Sequence, residues 1–167
     1  MTRIPVVNKK DEIIGYRNRE DLNDSYIARV SGLWVINSKN EVLIAQRALD
    51  KIYNPGKWGP SAAGTVEERE NYISNIIKEA EEEIGLKTSE ENLIIGTKEY
   101  TETSHKYFRQ MYCLKTDLPS SAFKINKDEV AEIRWIAIPE LKKRFDEKPE
   151  DFSDGFGMIL DELSNLK

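Results

Sequence analysis

The stretch Gly64-Thr-Val-Glu-Glu-Arg-Glu70-Asn-Tyr-Ile-Ser-Asn-Ile-Ile-Lys78-Glu79-Ala80-Glu81-Glu82-Glu83-Ile84-Gly85-Leu86 decides how this chain is read. Ile73, Ile76, Ile77, Ala80 and Ile84 recur at i, i+3, i+4, i+7 and i+11, one apolar stripe on a helix. Asn71–Ile84 is therefore predicted to be helical, with Gly85 ending it. Against that pattern, Glu79, Glu82 and Glu83 crowd the last turn, and Glu81 adds a fourth carboxylate. A helix C-terminus favours cations, and like charges at i,i+4 repel by roughly 0.2–0.5 kcal/mol per pair. At 100° per residue, Glu79, Glu82 and Glu83 form a second stripe centred about 120° from the apolar one, on the margin of the packed face. A run of acids is usually a solvated face. A divalent cation gripped at this margin is the alternative that turns the repulsion into coordination.

Composition narrows the chemistry. A chain of 167 residues fits one domain with a sizeable core. The net charge of −5 argues against binding a nucleic-acid polymer, which draws on a basic surface. With Cys113 as the single cysteine and His105 as the single histidine, a disulfide framework and a Cys- or His-rich zinc site are both excluded. A metal here must be held by oxygen, which points to magnesium or manganese. Met1-Thr-Arg-Ile-Pro5 lacks the apolar core of a signal peptide, and no run approaches the ~20 apolar residues of a membrane span. A cytoplasmic protein without membrane partners is expected.

Around the helix the chain reads mostly as strands. Ile4–Val7 and Ile13–Arg17 flank Asn8–Asp11 as an N-terminal hairpin within about residues 1–20. Ile27–Asn37 and Glu41–Gln46 flank Ser38–Asn40 as a second hairpin. Asn54-Pro55-Gly56 signals a turn, and Lys57–Ala63 a short strand ending at Gly64. Leu93–Tyr100, Tyr107–Lys115 and Val130–Ile136 read as further strands. Pro139 opens a helix over Glu140–Phe145, and a last helix covers about Phe156–Leu166. The expected class is α+β, a mixed β-sheet sandwiched between α-helices, in one domain over residues 1–167.

Written as a pattern, Gly64, five residues, Glu70, seven residues and Lys78–Leu86 resemble the Nudix box, G-x5-E-x7-R-E-U-x-E-E-x-G-U with U aliphatic. Every specified position matches except the arginine, where Lys78 stands, while Ala80 is a small occupant of an aliphatic position. The resemblance implies the Nudix fold and metal-dependent cleavage of a diphosphate linked to another moiety. By motif position it makes Glu79, Glu82 and Glu83 metal ligands, with the Gly64 carbonyl as a backbone ligand and Glu70 helping through an outer-shell water. The family's arginine orients a neighbouring carboxylate; Lys78 supplies the charge without the planar fork.

Arg47-Ala-Leu-Asp-Lys51, Pro55-Gly56-Lys57-Trp58 and Asp128-Glu129-Val130-Ala131-Glu132-Ile133-Arg134-Trp135 resemble the branch that contains isopentenyl diphosphate isomerase. That likeness implies diphosphate binding by Arg47 and Lys51; the plainer reading is two solvated charges beside a turn. The isomerase's acid–base cysteine corresponds to Ala63, the histidine after the box glycine to Thr65, and a metal-binding histidine to Ala28. Isomerisation is therefore disfavoured. Hydrolysis of a nucleoside diphosphate derivative or related organic pyrophosphate leads, with a binding domain that does not turn over as the alternative that Lys78 motivates. The proton acceptor is left open among Glu82, Glu83 and the loop acid Glu129, which also reads as a surface residue. Trp58, Tyr53 and Trp34 are either rings for base stacking or, more commonly for such positions, core. Arg109 reads as a surface ion pair within reach of a phosphate, Cys113 as a buried hydrophobe, and His105 as part of an exposed turn without a role. The family likeness leaves a homodimer open.

Overall fold

The computed structural model describes residues 2–166. Strand β1 (Arg3–Val7) pairs antiparallel with β2 (Ile13–Asn18). The Asn8 carboxamide oxygen closes their turn by accepting from the backbone of Lys10 and Glu12. The central strand β3 (Ile27–Ile36) turns at Asn37–Asn40 into β4 (Glu41–Arg47). This hairpin is brief: only Val35 faces Leu43 and Ile36 faces Val42. Beyond that point the two strands part, and the Lys57–Thr65 segment fills the gap.

The single strand expected over Lys57–Ala63 is two, the second running on to Thr65. β5 (Trp58–Gly59) pairs with β4, and β6 (Ala62–Thr65) pairs with β3. Pro60 has no N–H to offer a ladder, and Ser61 bridges the fork. Its buried Oγ accepts from Val35 N at 2.8 Å and donates to the Leu43 carbonyl at 2.5 Å, standing in for the backbone bonds lost where β3 and β4 separate.

Helix α1 (Tyr72–Ile84) follows, then β7 (Ile94–Glu102), β8 (Lys106–Lys115), β9 (Val130–Ala137), α2 (Ile138–Glu147) and α3 (Phe156–Leu160). β8 runs parallel to β3 along its whole length and pairs with β7 on its other side, whereas β9 pairs with β4. The nine strands make one mixed sheet. α1 covers one face, where Ile76, Ala80 and Ile84 meet Leu33, Val35 and Leu43. α2 and α3 cover the other, where Leu141, Phe156 and Ile159 meet Trp34, Ile44 and Ile136. The last helix is shorter than its apolar spacing predicts. After Leu160 it tightens into a 3-10 turn, Asp161–Ser164, which turns Glu162 inward onto the backbone and hydroxyl of Thr97. Among the described residues no helix is long and apolar enough to cross a membrane.

Asp11 ties four elements together from the first hairpin. Its carboxylate accepts from Arg29 Nε at 2.7 Å and from the Tyr72 hydroxyl at 2.9 Å, and it pairs with Lys98. Its side chain is 8% exposed. Burial pushes its pKa up, but the Lys98, Arg29 and Tyr72 hydrogen bonds outweigh that and hold it below the usual carboxylate range.

Two substitutions test this frame. Ser61→Ala leaves a buried N–H and a buried C=O unpaired, and should lower unfolding free energy by about 2–4 kcal/mol in urea titration. Asp11→Asn leaves cations without their partner and should cost about 3 kcal/mol at pH 7. Because the folded pKa of Asp11 lies below its unfolded value near 3.8, this stabilisation is complete above that value and is lost as pH falls through the folded one. The gap between wild type and Asp11→Asn should therefore close in acid.

Candidate active site

Both ends of α1 are fixed. At its start, Asn71 Oδ1 accepts from Ser74 N and Ser74 Oγ accepts from Asn71 N, each at 2.9 Å, a reciprocal cap. At its end Gly85 adopts φ 67°, and a Cβ there would stand 2.8 Å from the Lys124 carbonyl. Side chain and backbone both demand glycine.

Between these caps the acidic margin of α1 lies against β6. Glu83 Oε1 accepts from Ala63 N at 2.9 Å. Glu79 lies over Gly64 so closely that a Cβ on Gly64 would be 2.4 Å from its Cγ and Cδ. Glu82 is exposed beside them and its charge acts on Glu79. Burial pushes the Glu79 carboxyl up to about 7; Lys78 opposes the rise, and Glu82, Glu67 and Glu70 add to it. Burial likewise pushes Glu83 up to about 8, against the Ala63 hydrogen bond and with help from Glu79 and Glu129. The donor set is all oxygen and short of positive charge, which suits a hard divalent cation. As these side chains lie, no three Asp, Glu, His or Cys groups are already gathered into a cage among the described residues. Glu79 and Glu83 are turned onto β6, so the convergence expected of the three glutamates requires rotation about their side-chain bonds.

Lys78 occupies the arginine position by reaching backwards. Its Nζ stands 2.5 Å from Glu70, 3.1 Å from Glu67 and 3.8 Å from Glu79. Burial lowers its pKa, but the pairs with Glu70 and Glu67 outweigh burial and raise it, so the charge is permanent. Both Glu70 oxygens are engaged inside the protein, Oε1 by Lys78 and Oε2 by Glu67 N and Asn75 Nδ2. Glu70 thus buttresses the loop before α1. Asn75 is the member that sequence reasoning missed. Fully buried, it also donates to the Thr65 carbonyl at 3.0 Å and bonds Ser31, joining α1, β6 and β3. An amide set between Ile73 and Ile76 on a packed helix face was the available signal.

The opposite wall hangs from the end of α1. The Glu83 carbonyl accepts from Asn126 N at 2.9 Å, and the Asn126 carbonyl accepts from Glu129 N at 3.0 Å. The Glu129 carbonyl accepts from Ala48 N at 3.0 Å, and its carboxylate holds Lys51 Nζ at 2.6 Å. Arg47 Nε donates to the Tyr53 carbonyl at 2.9 Å. The charges of Arg47 and Glu129 both act on Glu83. Arg47, Lys51 and Glu129 are therefore assembled beside the acidic helix.

Trp58 is not. It packs with Ile44 and Phe152 on the sheet face opposite α1, under Arg134 at 5.0 Å, and lines a cavity of about 210 Å³ with Arg144 and Lys148. Trp34 is fully buried core, as is Cys113. Arg109 is no surface residue: it is 6% exposed and donates to Glu99 and to the Gly155 carbonyl. His105 is half-buried against Tyr53.

The closeness of Gly64 to Glu79 makes a direct test. Gly64→Ala should displace Glu79 and weaken Mn2+ binding about tenfold by calorimetry, while far-UV circular dichroism keeps its wild-type helix signal.

The chain resembles known proteins over most of its length. The NUDIX domain model matches residues 26–156. An uncharacterized Nudix hydrolase of Yersinia pestis is 25% identical over 154 residues, covering 89% of this chain and 80% of its own. Isopentenyl-diphosphate Delta-isomerase 1 of Photorhabdus laumondii is 34% identical over 104 residues, covering 61% of this chain and 59% of its own. Among solved structures, DR0079 from Deinococcus radiodurans superposes with a TM-score of 0.76 at 22% identity, covering 98% of both chains, and shares the fold. With the family model spanning the acidic helix, the facing loops and every strand from β3 onward, this chain belongs to the Nudix domain family.

Proposed function

We propose that this protein hydrolyses the diphosphate linkage of a nucleoside diphosphate derivative, or of a related organic pyrophosphate, with magnesium or manganese as its cofactor. The observation that carries the reading is a pairing of opposite charge: half-buried Glu79 and Glu83 of α1 against β6, and Arg47, Lys51 and Glu129 on the loops that hang from the same helix end. Glu79, Glu82, Glu83 and the Gly64 carbonyl would hold the cation. The chemistry a cation would supply there is charge neutralisation of the phosphate oxygens and a lowered pKa for the water, which then loses its proton more readily as it attacks phosphorus.

The other steps fall to the chain itself. Arg47 and Lys51 offer cations to the diphosphate, Arg47 with the planar fork that suits paired oxygens. Lys51 must leave Glu129 to do so, and an ion pair this exposed is weak enough to exchange. The proton of the attacking water passes to Glu82, Glu83 or Glu129. Lys78 positions α1 against the Glu67–Glu70 loop and keeps a positive charge beside Glu79.

Lys78 spans both loop glutamates and Glu79, which weakens the case for a domain that only binds. Isomerisation lacks its proton donor, since Ala63 offers a methyl group and a backbone N–H already given to Glu83.

The test is phosphate release from a panel of nucleoside diphosphate derivatives with Mg2+ and with Mn2+. Chelation by EDTA should abolish it, and Glu82→Gln or Glu83→Gln should lower kcat by about 10²–10³-fold without unfolding the protein. Binding of the panel without turnover by either metal would sink the catalytic reading and leave a ligand-binding domain.

A further inference from the structure

Three aromatic residues were candidates for stacking on a base, and the fold separates them. Trp34 is sealed in the core, edge-on to Phe156, and Trp58 is packed across the sheet beneath Arg134. Tyr53 remains. It is 57% exposed, and among the described residues it is the one exposed aromatic side chain.

Its surroundings hold it ready. The Tyr53 carbonyl takes the Arg47 guanidinium, so the ring and a phosphate-binding cation are joined through one residue. Its neighbour Asn54 adopts φ 52° at the start of a turn closed by Lys57 N on the Asn54 carbonyl, and the Asn54 side chain accepts from Asp154 N. Across the loop, His105 meets the Tyr53 ring perpendicularly at 4.8 Å between centroids. Ser104 beside it bonds Asp154. The loop is therefore braced from the β7–β8 turn and from the segment after α2. A large ring left exposed on a loop already ordered loses little further freedom when a ligand covers it.

We infer that Tyr53 is the stacking platform for the base of a nucleoside diphosphate whose phosphates lie on Arg47 and Lys51, with His105 positioning the ring. This rests on the proposed diphosphate chemistry and assigns the residue that receives the base within it. A π-face accepts any base, so the platform selects for a planar aromatic group over an aliphatic one without choosing among bases. Leu49 and Ile52, exposed on the same loop, supply the rival prediction of an aliphatic group.

Calorimetry with Mg2+ and three probes decides it: α,β-methylene-ADP, methylenediphosphonate, and an alkyl diphosphate. Wild type should bind the nucleoside analogue most tightly. Tyr53→Ala should weaken that probe about tenfold and leave methylenediphosphonate unchanged; Tyr53→Phe should restore tight binding, and His105→Ala should fall between. Three results would overturn the assignment. One is equal weakening of the nucleoside analogue and methylenediphosphonate, which would make Tyr53 a support for Arg47. Another is no change in either, and the last is an alkyl diphosphate binding more tightly than the nucleoside analogue. Because these probes report binding, loss of hydrolysis with the stacking pattern intact would sink the catalytic reading alone.

Discussion

The Ser61 hydroxyl is the point on which the architecture turns. β3 and β4 begin as hairpin partners at Val35 and Leu43 and then must separate. Separation strands an N–H and a carbonyl in the core, where an unpaired backbone group is costly. One hydroxyl that both accepts and donates resolves this, with Val35 N on one side and the Leu43 carbonyl on the other. The gap then accommodates two short strands instead of one continuous one. β6 lies on β3 and presents Ala63 N and Gly64 to the acidic helix, while β5 lies on β4 and carries Trp58 to the opposite face. A closed hairpin would leave nowhere for the glutamates to turn.

Stability and chemistry pull against each other along α1. Its N-terminal half is supported by a reciprocal cap, a buried amide that joins three elements, and Lys78 between Glu67 and Glu70. Its C-terminal half places Glu79 and Glu83 where burial resists their charge. Lysine serves at the arginine position because the need there is a compact charge among several carboxylates. A planar fork would favour one partner, whereas an ammonium is shared among three.

The helix was legible because its information is local: apolar spacing, Gly85 after it, and acids at the wrong end. The hairpins at Asn8–Asp11 and Ser38–Asn40 were legible for the same reason, with β-forming runs around turn residues. The split of Lys57–Thr65 was not, since it depends on where β3 and β4 diverge. Trp58 shows the same boundary. Alternation along a strand says that Trp58 and its neighbour Gly59 do not share a face, but not which face of the sheet the Trp58 ring takes. Asp11 sits in an unremarkable turn, and its partners Arg29, Tyr72 and Lys98 come from three distant segments. Arg109 and Glu162 are strand and turn charges that burial alone makes structural.

The acidic margin of α1 and the loop carrying Arg47 and Lys51 are held apart and yet in register by main-chain bonds. From the Glu83 carbonyl the path runs through Asn126 and Glu129 to Ala48, each step a backbone hydrogen bond of 2.9–3.0 Å. Such bonds are insensitive to the protonation of the carboxylates and to salt, unlike the Lys51–Glu129 pair laid over them. The side-chain charges are thereby free to change partners while the walls keep their spacing. On the proposed reading, a diphosphate takes cations on its oxygens and a cation held by carboxylates beside its phosphorus. Hanging the cationic loop from the carbonyl of Glu83, one of the glutamates that defines the acidic side, fixes that separation by peptide geometry and leaves the ionic contacts to chemistry.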